Sequence, residues 1–312
     1  MPAQRFINHP LMTAGLCRGK ETAVTYREAS ELLEKAGIED PCFEAGLLAE
    51  RFSGVKRHEL LWDRDRELPG RRFAGAVMRR ASREPIQYIL GSWAFYGREF
   101  CLNRDCLIPR PDTETVAGEA VRRLPRGALF CDIGTGCGTL AVTVLCERPD
   151  CSAVATDISL PALRAARMNA RALGVKDRSV FRLCDVFCDT ACLRASPACG
   201  FDAVISNPPY IPSGEIGSLA PELSFEPRAA LDGGADGLVF YRRIISLCFG
   251  KGACGKPFLR PGGLLIFEAG AGEAEAIATE ADRYGAEAET VKDLAGIDRA
   301  VILYRAGSAA GS

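Results

Sequence analysis

Leu129-Phe130-Cys131-Asp132-Ile133-Gly134-Thr135-Gly136-Cys137-Gly138 is the stretch on which the fold turns. Its first residues form a short apolar run ending in an acid, which reads as a buried strand bounded by turn residues. Three alternate glycines follow. They let the chain take positive φ and let a ligand approach the backbone closely. A helix starting behind them offers unpaired N–H groups. A dinucleotide fingerprint would need G-x-G-x-x-G. Counting from Gly134, the sixth position is Thr139, so that pattern fails.

Strand and helix patterns alternate on the C-terminal side of this loop. Candidate strands are Leu129 to Ile133, Ala153 to Asp157, Val180 to Cys184, Ala203 to Ser206 and Leu264 to Glu268, with a helical pattern over Leu160 to Leu173. Such alternation predicts a parallel sheet with helices on both faces, an α/β fold. Ala288 to Val291 and Ala300 to Tyr304, separated by Gly296, are expected as an antiparallel hairpin at the sheet end. Two further acids close successive strands. Asp157 is placed to accept both hydroxyls of a ribose, and Asp185, followed by Val186, ends the next strand. In an open α/β sheet, ligands bind at the carboxyl ends of the strands, where all three acids fall. A lone Asp there could equally be a cap or turn former. An acid followed by G-x-G-x-G resembles the first motif of Rossmann-like methyltransferases, and the Asp185–Val186 position resembles their adenine site.

On the N-terminal side the pattern is helical. Thr25 with Glu28 reads as a capping box closed by Gly37, and Asp40-Pro41 opens a second helix that ends at Gly54. A third helix is expected from about Arg71 to Arg83, with no strand between them. Lys56 to Arg83 holds nine Lys/Arg against four Asp/Glu, which is either a solvated face or a docking surface for an acidic partner or RNA. From Pro85 to Pro111 the aromatic and β-branched residues Tyr88, Ile89, Trp93, Phe95, Tyr96 and Phe100, punctuated by Gly91 and Gly97, predict a β-hairpin linker. The organisation expected is therefore a helical domain (1–84), a hairpin linker (85–111), a catalytic α/β domain (112–305) and a disordered tail (306–312).

Composition narrows the function classes. With 47% hydrophobic and 25% charged residues, this is an ordinary globular chain. The net charge of -1 gives no overall pull toward nucleic acid or anionic membrane. No apolar run is long enough to span a bilayer, and Met1 to Leu16 does not read as a signal peptide, so the cytoplasm is expected. The 14 cysteines include no C-x-x-C pair, and only His9 and His58 could assist as imidazole ligands, so no metal is expected. Cys184, Cys188 and Cys192 are evenly spaced but read as incidental.

The fourth strand runs into Ser206-Asn207-Pro208-Pro209-Tyr210. An amide nitrogen is a poor nucleophile, because its lone pair is delocalised. An enzyme that methylates it must hold the NH2 group in line with the donor. The Asn207 side-chain oxygen can accept one N–H and the Pro208 carbonyl the other. Consecutive prolines stiffen the loop, and Tyr210 offers a flat face to a planar amide and an adjacent cation. Catalysis of this kind is mainly by positioning. The competing reading of these residues is a rigid turn.

N-P-P-Y occurs in methyltransferases of amino groups on planar systems. Other segments narrow the likeness: Arg83-Glu84-Pro85-Ile86-Gln87-Tyr88-Ile89-Leu90-Gly91, Leu107-Ile108-Pro109-Arg110-Pro111-Asp112-Thr113-Glu114, Phe225-Glu226-Pro227-Arg228-Ala229-Ala230-Leu231, Gly233-Gly234-Ala235-Asp236-Gly237-Leu238 and Asp298-Arg299. With them the chain resembles the HemK/PrmC family of release-factor glutamine methyltransferases from about Thr25 to Tyr304. The resemblance implies a Rossmann-like class I methyltransferase sheet with a small helical N-terminal domain. It also implies S-adenosylmethionine as cofactor, and as substrate the glutamine of the Gly-Gly-Gln motif in class I peptide chain release factors. Gly134, Thr135, Gly136, Cys137, Gly138, Asp157, Asp185, Val186 and Asn207 would then meet the cofactor. Asn207, Pro208, Pro209 and Tyr210 would hold the glutamine. A monomer that needs no nucleic acid is expected. The chain departs from the family pattern at Asp112, where Glu is usual, at Cys137, in the looser Glu268 to Glu273 segment, and in the Gly- and Lys-containing stretch Cys248 to Pro257. The alternatives are a glutamine methyltransferase for a ribosomal protein and, more distantly, a nucleic-acid adenine N6-methyltransferase.

Overall fold

The structure, a computed structural model, describes residues 23–187, 197–250 and 257–305. The expectations for Met1 to Leu16, for Cys188 and Cys192, and for the tail 306–312 lie outside the described residues, as does most of the Cys248 to Pro257 stretch. The chain divides after Leu90 into two compact units.

The first unit holds β1 (Val24–Thr25), α1 (Tyr26–Lys35), α2 (Pro41–Ser53), α3 (Arg57–Trp62), β2 (Glu67–Leu68), α4 (Arg71–Ala81) and α5 (Ile86–Leu90). The capping box forms as read: Glu28 N–H donates to Thr25 Oγ1 at 3.1 Å, and Thr25 N–H donates to Glu28 Oε2 at 2.9 Å. Gly54 ends α2 in the left-handed region, where a side chain would be strained. Four elements went unread. β1 and β2 pair antiparallel over two residues, and α3 and α5 are six and five residues long. Elements this short carry too few positions to display a period. Tyr88 and Ile89, expected in a hairpin, bury their side chains from α5, because packing outweighs β propensity.

The basic stretch is less basic in three dimensions than in sequence. Arg80 is buried in an ion pair with Glu44, Arg79 pairs with Glu84 at 2.6 Å, and Arg57 pairs with Glu50 at 3.2 Å. All three carboxylates lie outside the window in which the charges were counted.

The second unit begins with a hairpin of β3 (Ser92–Phe95) and β4 (Arg98–Cys101). It continues through α6 (Thr113–Arg123), β5 (Leu129–Ile133), α7 (Thr139–Glu147), β6 (Ser152–Asp157), α8 (Leu160–Ala172), β7 (Ser179–Leu183) and β8 (Phe201–Ser206). It closes with α9 (Val239–Phe249), β9 (Leu259–Glu268), α10 (Ala274–Asp282), β10 (Ala286–Lys292) and β11 (Asp298–Arg305). The described strands form a seven-stranded sheet in the order β10-β11-β9-β8-β5-β6-β7. Pairing is parallel from β7 through β9 and antiparallel at β11 and β10, as the sequence led one to expect. Two apolar layers cover the sheet. One packs α6, α7 and the hairpin residues Phe95 and Phe100 on one face, and the other packs α9 and α10 on the opposite face. β9 starts five residues before the expected Leu264, past a register shift opposite Phe201 to Ala203.

β5 is the middle one of the five parallel strands, with β6 on one side and β8 on the other. At this reversal the loops that leave β5 and β8 diverge, which opens a crevice at the carboxyl ends of the strands.

Candidate active site

A cavity of about 280 Å³ fills that crevice. Its lining includes Gly134, Thr135, Gly136 and Cys137 after β5, Asp157 at the end of β6, Asp185 and Val186 after β7, and Asn207, Pro208 and Pro209 after β8. Four segments far apart in sequence thus converge because four parallel strands end on one edge. Gly138 and Tyr210 are not in the lining. Gly138, at φ +86°, lies where a Cβ would meet Ala166 at 3.1 Å, so it permits close packing of α7 on α8. Tyr210 turns toward glycine backbone instead: a Cβ on Gly270 would lie 3.0 Å from its ring. Burial raises its phenol to about 12.

The glycine loop is held by its own acids. Asp132 is fully buried at the end of β5, where its Oδ2 accepts the Thr135 hydroxyl at 2.6 Å and the Ala141 N–H at 3.1 Å. The second contact supplies an acceptor in the first turn of α7, where one is otherwise missing. Burial pushes the Asp132 carboxyl up to about 7 despite those hydrogen bonds. Asp157 accepts the Gly136 N–H and the Ser159 N–H, each at 2.8 Å, so it fixes the loop while lining the cavity. Burial raises its pKa as well. Asn169 on α8 donates to the Cys137 carbonyl at 2.8 Å. Cys137 also shares a side-chain hydrogen bond with Cys106, whose thiol is raised by that contact and by burial.

The loop after β7 is secured from α9, where Arg243 Nε donates to the Val186 carbonyl at 2.7 Å. Phe187, Phe240 and Ile244 add an apolar wall beside Val186, with Phe187 and Phe240 edge to face at 5.0 Å between ring centroids. Asn207 donates from Nδ2 to the Thr113 hydroxyl at 3.4 Å. The Glu226 carboxylate accepts the Ile108 N–H at 3.0 Å and pairs with Arg110, which lines the cavity along with Pro227.

These residues fit S-adenosylmethionine. Asp157 presents carboxylate oxygens with lone pairs left for ribose hydroxyls. Val186, Phe187, Phe240 and Ile244 form a wall suited to a flat, weakly polar base, and Gly134 and Gly136 leave the backbone open to close approach. Among the described residues, no group of three or more His, Cys, Asp or Glu is placed to hold a metal ion, and no helix is long and apolar enough to cross a membrane.

Sequence reasoning missed Arg110, Thr113, Glu226, Phe187, Phe240 and Ile244 as contributors. Arg110, Thr113 and Glu226 lie in segments that carried the family resemblance, which was their only signal. Phe240 and Ile244 stand four apart on a helix, a spacing that reads as ordinary core.

Comparison with known proteins places the chain among its relatives. Residues 25–91 match the model of the PrmC N-terminal domain, and residues 121–235 match that of the methyltransferase small domain. The chain is 38% identical to a release factor glutamine methyltransferase of Geobacter sulfurreducens, over 86% of this chain and 91% of that protein. It is 40% identical to one from Cereibacter sphaeroides, over 88% of this chain and 95% of that protein. A crystal structure of a release factor-specific protein-(glutamine-N5) methyltransferase from Alicyclobacillus acidocaldarius is 29% identical. It covers 66% of this chain and 99% of its own, with a TM-score of 0.37.

Proposed function

The chain belongs to the release factor glutamine methyltransferase family, and we propose that it methylates the side-chain nitrogen of the Gly-Gly-Gln glutamine in a class I peptide chain release factor. The observation that carries this reading is the shared cavity. The glycine loop and Asp157 occupy one part of its lining and Asn207, Pro208 and Pro209 another.

S-adenosylmethionine, when bound, supplies an electrophilic methyl group carried on a sulfonium. Gly134 to Gly138, Asp157, Asp185 and Val186 are the residues proposed to hold it. The Asn207 oxygen and the Pro208 carbonyl each accept one N–H of the glutamine amide, which orients its nitrogen. The two prolines keep those acceptors in place, so little freedom is lost when the substrate binds. Tyr210, next in the chain, sets its ring against the Gly270 backbone and is proposed to brace the loop that carries those acceptors. The nitrogen becomes acidic as it gains the methyl group, so its proton leaves to solvent without a strong base.

Residues 1–84 are proposed as the substrate-recognition domain, with 85–111 as linker and 112–305 as the catalytic domain. The enzyme is proposed to act as a monomer, without nucleic acid, in the cytoplasm where release factors work.

The test is methyl transfer from labelled S-adenosylmethionine to purified release factor, with the Gln-to-Ala variant of its Gly-Gly-Gln motif as control. Label on the normal factor alone is expected. Equal label on both overturns the proposed target residue, and label on neither redirects the search to ribosomal proteins and nucleic acid. Asn207→Ala should lower turnover about 100-fold or more if the amide clamp is correct.

A further inference from the structure

Behind Asn207 lies a buried pair of polar side chains. Thr113 opens α6 and is 4% exposed, and Glu268 ends β9 and is 1% exposed. The sheet register explains why they meet Asn207. Ser206 pairs with Phe267 across β8 and β9, so the next residue on each strand, Asn207 and Glu268, emerges at the same edge. Asn207 Nδ2 reaches the Thr113 hydroxyl at 3.4 Å, and the Thr113 side chain lies close enough to the buried Glu268 carboxyl group to favour its ionised form. Glu268 Oε2 has no hydrogen-bond partner. A buried carboxyl group left half satisfied is costly, so its retention calls for a reason beyond packing.

An asparagine amide has two orientations of similar shape, with oxygen and NH2 exchanged. Only one leaves the oxygen free to accept a substrate N–H. We propose that Thr113 and Glu268 are positioning residues that fix this choice: Asn207 NH2 donates to Thr113, Thr113 donates to Glu268, and the Asn207 oxygen is left for the glutamine amide. The inference rests on the reading of Asn207 given under Proposed function.

The direction of this chain depends on the charge of Glu268. As a carboxylate it can only accept, so Thr113 must donate to it and accept from Asn207. Once protonated, Glu268 can donate to Thr113. The Thr113 proton is then released toward Asn207, which favours the flipped amide. Burial raises the Glu268 carboxyl to about 7, so the change falls within the working range. The charged and titratable groups around it are Arg110 and Asp112 ahead of α6, Tyr210 after β8, Tyr241 on α9 and Arg299 on β11. Arg299 and Asp112 are themselves paired at 3.2 Å.

The experiment uses the full chain, purified release factor and saturating labelled S-adenosylmethionine from pH 5.5 to 9, with S-adenosylhomocysteine affinity and melting temperature as controls for the fold. Thr113→Val should lower kcat about 100-fold with little change in cofactor affinity, and Thr113→Ser should stay within about threefold of the wild type. Wild-type kcat should fall as pH drops through about 7, and that fall should vanish in Glu268→Gln. If Thr113→Val does not fold, the pH profiles of wild type and Glu268→Gln decide the matter alone. Equal loss in Thr113→Ser and Thr113→Val, or full activity in Thr113→Val, overturns the inference. So does a low-pH fall retained in Glu268→Gln. A wild type that leaves the factor unlabelled overturns the substrate reading and this inference with it; a wild type that labels it while Thr113→Val keeps pace overturns this inference alone.

Discussion

Asn169 holds Cys137 in place: its Nδ2 donates to the Cys137 carbonyl at 2.8 Å, joining the middle of α8 to the glycine loop. The same amide exchanges hydrogen bonds with the hairpin. It donates to the Cys101 carbonyl at 3.0 Å and accepts the Cys101 N–H at 2.8 Å. One 1%-exposed side chain therefore ties the hairpin to the loop that lines the cavity. Asn169→Ala strips three hydrogen bonds and orphans their backbone partners. It should cost about 2–3 kcal/mol in a urea titration. Cofactor affinity should fall in parallel, and an unchanged affinity would show that the loop holds its shape without this tie.

The Glu226 contact with Ile108 and Arg110 makes a second tie, across a gap of more than 100 residues in sequence. Glu226→Ala should destabilise the protein by about 2–3 kcal/mol, the upper range for a buried pair being tempered by the partial exposure of Arg110. Glu226→Gln keeps one acceptor for the Ile108 N–H and should cost about 1 kcal/mol. Melting curves of the two variants compared side by side would check this ranking.

Asp132 makes stability depend on pH. Its folded pKa, about 7, stands above its unfolded value of 3.8, so the native state binds more protons between the two. Stability should then decline as pH rises through that window and level off above about 7. Asp132→Asn keeps the acceptor for Thr135 and Ala141 but cannot ionise. It should gain on the order of 1–3 kcal/mol relative to wild type at pH 8, with little change at pH 4. Denaturant midpoints at the two pH values test this, and a parallel shift at both would contradict it.

Asp157 serves both the loop and the proposed ribose contact. Asp157→Asn retains an acceptor for the Gly136 N–H but weakens hydrogen bonds from hydroxyls, since charge-assisted bonds are about twice as strong. S-adenosylhomocysteine affinity should drop about tenfold by calorimetry. Turnover at saturating cofactor should change little, and a selective loss of turnover would move Asp157 from binding to chemistry.

Much of the catalytic unit was legible in the sequence because its signals are local. The alternation of strands and helices, the glycine loop after β5, the strand-end acids and Asn207-Pro208-Pro209-Tyr210 each depend on a few neighbouring residues. Positive φ at Gly134, Gly136 and Gly138 and the capping box at Thr25 were dictated by the residue types present. What the tertiary structure alone decided were pairings between distant segments. The register of β8 against β9 set Glu268 beside Asn207, and the packing of α6 brought Thr113 between them. Tyr210 set its ring against Gly270 and its backbone against Gly233, and the carboxylates at 44, 50 and 84 neutralised arginines that looked unbalanced in sequence. A chain records which side chains can donate, accept or bend. Which of them meet depends on strand order and packing, and these follow from the burial of the whole core.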